Sequence, residues 1–171
     1  TVINYAVVQS ATDDLFYINH AVDKSYFSGG SIFSQRYNTT TFQDSMTVLY
    51  GHNSRSQAMF AQLNNFADAS FFEQNQSIYI YTPEKVYEYQ IFAAYPHSSD
   101  HLLLCNDFND PEQFAAYFDS LADGVNCNYR RDLFPQFGDK VLTLSTCYRQ
   151  NRTQRFLVQG VLTQEYTVLK K

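Results

Sequence analysis

Cys147 closes the run Val141-Leu142-Thr143-Leu144-Ser145-Thr146, where the chain leaves a strand-like segment for the polar loop Tyr148 to Gln154. A thiol at a strand end has its backbone fixed by the sheet and open space on the loop side, which is what a nucleophile requires. Alone it is mostly inert at neutral pH, because a free thiol has a pKa of about 8.5 and only the thiolate attacks. A neighbouring imidazole or guanidinium changes that. His52 stands at another strand end, in Leu49-Tyr50-Gly51-His52-Asn53, and Arg155 opens the strand that follows the cysteine loop. His52 can move protons, and Arg155 can hold the oxyanion of a tetrahedral intermediate. Arg149 and Arg152, inside the loop, compete for that second role. For a cysteine without such neighbours, a buried structural thiol is the simpler reading.

Three cysteines, Cys105, Cys127 and Cys147, leave at least one thiol unpaired, and no two share the short spacing of a zinc site. Cys105 follows the apolar run Leu102 to Leu104 and Cys127 lies in a Gly/Asn-rich stretch; a disulfide between them stays open. His97 and His101, with Asp100 between them, have the spacing of a metal pair on a helix, but a solvated loop accounts for them as well. His20 has no comparable context.

The elements that must position these residues read mainly as short strands: Ile3 to Gln9, Leu15 to Asn19, Ser31 to Arg36 and Thr47 to His52. Ser54-Arg55-Ser56-Gln57 has the form of a capping box, followed by Met59, Leu63 and Phe66 at helical spacing, which predicts a helix immediately after His52. Ser77 to Thr82 and Val86 to Ala94 flank Pro83-Glu84-Lys85 as a hairpin. The long excursion from Pro96 to Gly138 holds a second helix, with Asp110 as N-cap, Pro111 at the first helical position, Phe114, Tyr117, Phe118 and Leu121 on one face, and Gly124 as its stop. Lys140 to Cys147 and Arg155 to Thr163 are the last strands. The class is mainly β with a few helices, and a closed or nearly closed barrel would remove exposed sheet edges.

A chain of 171 residues is one ordinary domain, burying roughly 70% of its unfolded surface. Fifteen Phe and fourteen Tyr, with only 17% charged residues, exclude a disordered chain. A net charge of −5 with no basic run argues against nucleic acid. No stretch approaches the roughly 20 apolar residues that span a bilayer.

Thr143-Leu144-Ser145-Thr146-Cys147, Arg155-Phe156-Leu157-Val158 and Tyr50-Gly51-His52-Asn53 together resemble the signature of the sortases, cysteine transpeptidases of the Gram-positive cell surface. Class B is favoured by Ala6-Val7-Val8-Gln9, Gly30-Ser31-Ile32-Phe33, Met59-Phe60 with Leu63, and Ile91-Phe92-Ala93-Ala94-Tyr95. The helix expected from Asp110 to Asp123, before the cysteine strand, matches the same class. The resemblance covers nearly the whole chain. It implies a sortase-like eight-stranded β-barrel with two or more peripheral helices, one of them in the long connection before the cysteine strand, and a single catalytic domain over residues 1–171.

The same resemblance implies that His52, Cys147 and Arg155 converge at one end of the barrel. Cys147 would attack the carbonyl after the Thr of an LPxTG- or NPxTN-like sorting signal. Arg155 and a backbone N–H near Tyr148 would hold the oxyanion, and His52 would protonate the departing amine. An amine, from a peptidoglycan crossbridge or a pilin lysine, would then resolve the thioacyl enzyme. Ser145, Thr146, Tyr148 and the segment Ser98 to Leu104 would line the peptide groove, and neither a metal nor an organic cofactor is implied. The family's N-terminal membrane anchor and leading helices are absent from this chain, so a place on the extracellular face of the cell membrane would rest on a segment outside it. Arg149 stands where some class B members carry an acidic residue. Two other readings use the same residues: a hydrolytic cysteine peptidase, or a non-catalytic surface β-barrel module in which Cys147 is core. Papain-like peptidases place the cysteine at a helix start with the histidine downstream, whereas here the order is His then Cys, on strands.

Overall fold

The computed structural model describes residues 1–122, 124 and 127–168. In chain order the strands are β1 (Val7–Gln9), β2 (Ile32–Ser34), β3 (Met46–Tyr50), β4 (Ser77–Tyr81), β5 (Lys85–His97), β6 (Asn128–Tyr129), β7 (Val141–Cys147) and β8 (Arg155–Thr167). The α-helices are α1 (Ala69–Gln74), α2 (Leu102–Cys105) and α3 (Pro111–Leu121). Short 3-10 helices occupy Phe16–Ile18, Ala61–Ala67 and Arg131–Leu133.

The eight strands among the described residues join one sheet, in the order β1-β2-β3-β7-β8-β5-β4, with β6 on β5. The mainly-β expectation and its eight strands are met, but the path ends at β1 and β4, so the expected barrel is a curved sheet that does not close. β3 and β7 run parallel, so their C-terminal ends lie at the same edge; β8 is antiparallel to β7 and begins there, and β5, antiparallel to β8, ends there. This topology alone brings Tyr50, Cys147, Arg155 and His97 to one end of the sheet.

Successive residues of β7 face opposite sides, as the pleat requires. Leu142 and Leu144 enter a core with Leu49, Phe60, Leu63, Ile91 and Val158. Val141 enters a second core with Val48, Phe92, Leu157 and the apolar face of α3. Both faces are therefore covered, and β7 is buried from Val141 to Thr146. α3 follows its predicted pattern: the Asp110 carboxylate accepts from the backbone N–H of Glu112 and Gln113, Pro111 opens the helix, and Phe114, Tyr117, Phe118 and Leu121 are buried. The expected stop, Gly124, donates its N–H to the Leu121 carbonyl. Asp123, where the helix was expected to end, lies outside the described residues.

Two predicted elements are not formed as expected. Leu15 to Asn19 is no strand, because the Asp13 side chain accepts from Leu15 N–H and its carbonyl from Phe16 N–H, bending the chain into the Phe16–Ile18 turn. The helix expected directly after His52 is delayed to Ala61, and its first part is 3-10. Gln57 and Met59 have φ of 62° and 54°, which no right-handed helix admits, and Asn53 and Met59 form an antiparallel bridge. Leu63 and Phe66 still reach the core.

Candidate active site

Cys147 and Arg155 are direct partners across the antiparallel β7–β8 pair. Their side chains meet: Arg155 Nη1 donates to Cys147 Sγ at 3.6 Å. A fixed guanidinium beside a sulfur can donate to an oxyanion formed on the carbon that the sulfur attacks. Of the three arginines left open by the sequence, only Arg155 makes this contact. Arg149 turns away and donates to the Ala61 carbonyl at 3.2 Å, while Arg152 is exposed.

His52 lies two residues beyond β3 and is half-buried. Its backbone is tied to β7 on both sides of Gly51: Gly51 N–H donates to the Ser145 carbonyl at 3.1 Å, and Thr146 Oγ1 donates to the Gly51 carbonyl at 2.7 Å. Gly51 has no room for a side chain, since a Cβ would fall 2.5 Å from Ile32 Cδ1 and 2.8 Å from the Phe60 ring. His52 Nε2 lies 2.6 Å from the Ile18 carbonyl oxygen.

His52, Cys147 and Arg155 line one cavity of about 200 Å³, together with Ser145 and Thr146. Its wall also includes Tyr50, whose burial pushes its hydroxyl up to about 12 although the nearby Arg155 pulls it down. The larger cavity, about 1030 Å³ between the N-terminal segment and β4, contains none of the three.

Tyr148 does not take its expected place. Its ring is buried and stacks on Phe156 at 5.4 Å, away from the cavity, because the strand alternation turns it to the opposite face from Cys147. Its backbone N–H is already spent on the Gln154 carbonyl at 3.0 Å, so it is not a free oxyanion donor. Of the expected groove segment, Ser99 to Leu102 lines the cavity. His97 and His101 line it as well, rather than standing in a solvated loop. His101 Nε2 lies 2.7 Å from Gln35 Oε1, while its Nδ1 is buried and has no partner among the described residues. Among the described residues no group of three or more His, Cys, Asp or Glu gathers as metal ligands. Cys105 and Cys127 are free thiols, so the open disulfide is not made.

Sequence reasoning missed Asn64. It is buried, its Nδ2 donates to the Cys147 carbonyl at 3.2 Å, and its Oδ1 accepts from Arg149 N–H at 2.7 Å. Asn53 Nδ2 donates to the same carbonyl at 2.9 Å. Two amides thus hold the backbone where it leaves the sulfur-bearing residue. Asn53 belongs to Tyr50-Gly51-His52-Asn53, but Asn64, beside the apolar Leu63, carried no signal except a polar residue among buried neighbours.

A strand-end thiol contacted by an arginine on the paired strand thus shares one cavity with a histidine just beyond a third strand. The sortase domain model matches residues 3–163. This chain belongs to the sortase family. Sortase B of Listeria monocytogenes is 29% identical over 164 residues, covering 95% of this chain and 65% of that protein, so the chain spans less than two thirds of its relative. The structure of Clostridium perfringens sortase B superposes with a TM-score of 0.84 at 30% identity, over 96% of this sortase and 89% of that one. A Staphylococcus aureus sortase B–substrate complex gives 0.82 at 26% identity, over 96% and 76%. The relatives are class B, as the motifs implied.

Proposed function

We propose that residues 1–171 act as one catalytic domain, a cysteine transpeptidase that cleaves a sorting-signal peptide after its Thr and transfers the acyl part to an amine. The observation that carries this reading is the contact of Arg155 Nη1 with Cys147 Sγ across paired strands, in a cavity that His52 also lines. In the proposed reaction Cys147 gives up its proton to His52 and its sulfur bonds to the carbonyl carbon after Thr. The carbonyl electrons move onto oxygen, where the Arg155 guanidinium donates hydrogen bonds. The C–N bond then breaks, and the departing amine takes a proton from His52. The thioester is opened by an incoming amine, whose proton returns through His52 as the thiolate leaves.

With Tyr148 N–H engaged in the loop, Arg155 bears the oxyanion role in this reading. Ser145 and Thr146 form the strand wall beside the sulfur, and a peptide in the cavity would bring the partner that His101 Nδ1 lacks. A peptide substrate is supported by the Staphylococcus aureus relative, whose structure is of a substrate complex. LPxTG- and NPxTN-like signals fit the chemistry equally, as do a crossbridge amine and a pilin lysine. Sortases act at the surface of Gram-positive bacteria, and here the extracellular face of the membrane is the proposed place. No described helix is long and apolar enough to cross a membrane, so attachment would use a segment outside the described residues.

The deciding experiment incubates the protein with fluorogenic peptides carrying either motif, with and without triglycine or hydroxylamine. Amine-stimulated cleavage that Cys147→Ala abolishes is expected. Cleavage indifferent to amines would mark a hydrolase, and no cleavage of any such peptide would count against an enzyme.

A further inference from the structure

The shortest polar contact of His52 is with the backbone, Nε2 to the Ile18 carbonyl oxygen at 2.6 Å. A carbonyl only accepts, so Nε2 carries a hydrogen. In the neutral ring Nδ1 is then bare, and in the imidazolium only Nδ1–H can leave without breaking this bond. The carbonyl belongs to the Phe16–Ile18 turn, and Leu15 and Ile18 of the same segment line the cavity.

One turn of 3-10 helix has little stability of its own, so something else must hold that carbonyl in place. The holding residues are Gly30 and Ser31. Ser31 N–H donates to the Tyr17 carbonyl at 2.9 Å, and Ser31 Oγ donates to the His20 carbonyl at 2.9 Å. Gly30 lies flat against the turn, where a Cβ would fall 2.5 Å from the Ile18 carbonyl oxygen and 2.7 Å from that of Tyr17. Its φ of 60° is also one that glycine adopts without penalty. The Gly30-Ser31-Ile32-Phe33 motif thus acquires a mechanical meaning, because its first two residues brace the turn and Ile32 begins β2.

We propose that Gly30, Ser31 and the Phe16–Ile18 turn form a positioning element that fixes the tautomer and tilt of His52, leaving Nδ1 as the nitrogen that trades protons with the substrate. The proposal rests on the acid–base reading of His52. As the Cys147 thiol ionises, His52 takes up one proton at Nδ1. That proton passes to the leaving amine as the C–N bond breaks, and the neutral Nε2–H ring is restored. Gly30, Ser31 and Ile18 touch no reacting atom, so they act through His52.

The test reads the ring directly, by long-range proton–nitrogen NMR of protein labelled with nitrogen-15 histidine, at a pH where His52 is neutral. The unmutated protein is expected to show the Nε2–H tautomer in large excess. Gly30→Ala, which must push the Ile18 carbonyl away, should mix the two tautomers and lower kcat by about 10- to 100-fold, with KM within about twofold. Ser31→Ala keeps the glycine and removes one hydrogen bond, so it should move both readouts less in the same direction. It also serves if Gly30→Ala does not fold. A predominant Nδ1–H tautomer in the unmutated protein overturns the proposal. So does normal kcat with an unchanged tautomer in the folded variants while His52→Ala is inactive, in which case the acid–base reading survives alone. If His52→Ala retains turnover, the acid–base reading fails and the proposal falls with it, whatever the tautomer.

Discussion

Two thiols in this sortase have opposite surroundings. Cys127, just before β6, is half-buried in the core against α3; its Sγ donates to the Asn128 carbonyl at 3.8 Å, and burial pushes the thiol up to about 11. Cys147, at the end of β7, is also half-buried, but its Sγ accepts from a guanidinium. One sulfur faces a carbonyl acceptor, whereas the other faces a cationic donor. Burial is similar, so it is the neighbouring group that tells the two sulfurs apart.

Removing the cation should erase that contrast. Arg155→Ala is expected to lower kcat/KM on a sorting peptide by about 100- to 1000-fold, the usual cost of one oxyanion donor. Arg149→Ala and Arg152→Ala should each stay within about threefold, and near-normal turnover in Arg155→Ala would refute the assignment. Alkylation sharpens the comparison without substrate. At pH 8 a thiol with a pKa of about 11 is thiolate in about one molecule per thousand, so Cys127 should react with iodoacetamide about 100-fold more slowly than a free thiol in a small peptide. Mass spectrometry of quenched digests measures both rates.

Asn64→Ala tests whether the backbone clamp matters beside the cation. It leaves the Cys147 carbonyl with one amide donor instead of two and Arg149 N–H with none, which should cost about 1–3 kcal/mol in urea unfolding. Turnover should drop by about tenfold, since small displacements of a nucleophile are expensive.

The smallest effect concerns pH. Cys127 is raised from 9.0 to about 11, and Tyr50 and Tyr117 from 10.0 to about 12, in each case chiefly by burial. These protons are held more tightly in the folded than in the unfolded chain, so raising the pH through this window favours unfolding. A fall in Tm of about 2–4 °C between pH 8 and pH 10 is expected, smaller in Cys127→Ala. A Tm that rises over this range would contradict the assignment.

Most strands, the α3 cap and face, and the three residues brought together in the cavity were legible in the sequence. Alternating apolar residues, Asp110-Pro111 and strand-end placement are local signals, carried by residue type and spacing. The delayed helix after His52 was not legible, because left-handed backbone at Gln57 and Met59 comes from the surrounding structure and not from their own preference. Nor was the choice among Arg149, Arg152 and Arg155: the β7–β8 register decides it, by setting Arg155 opposite Cys147. The rest belongs to tertiary structure alone. Asn64 holds backbone on both sides of Tyr148, the Tyr148 ring falls on the far face, and a backbone carbonyl at Ile18 holds the ring of His52. A backbone atom is the same in every residue, so only the fold can say which one is used.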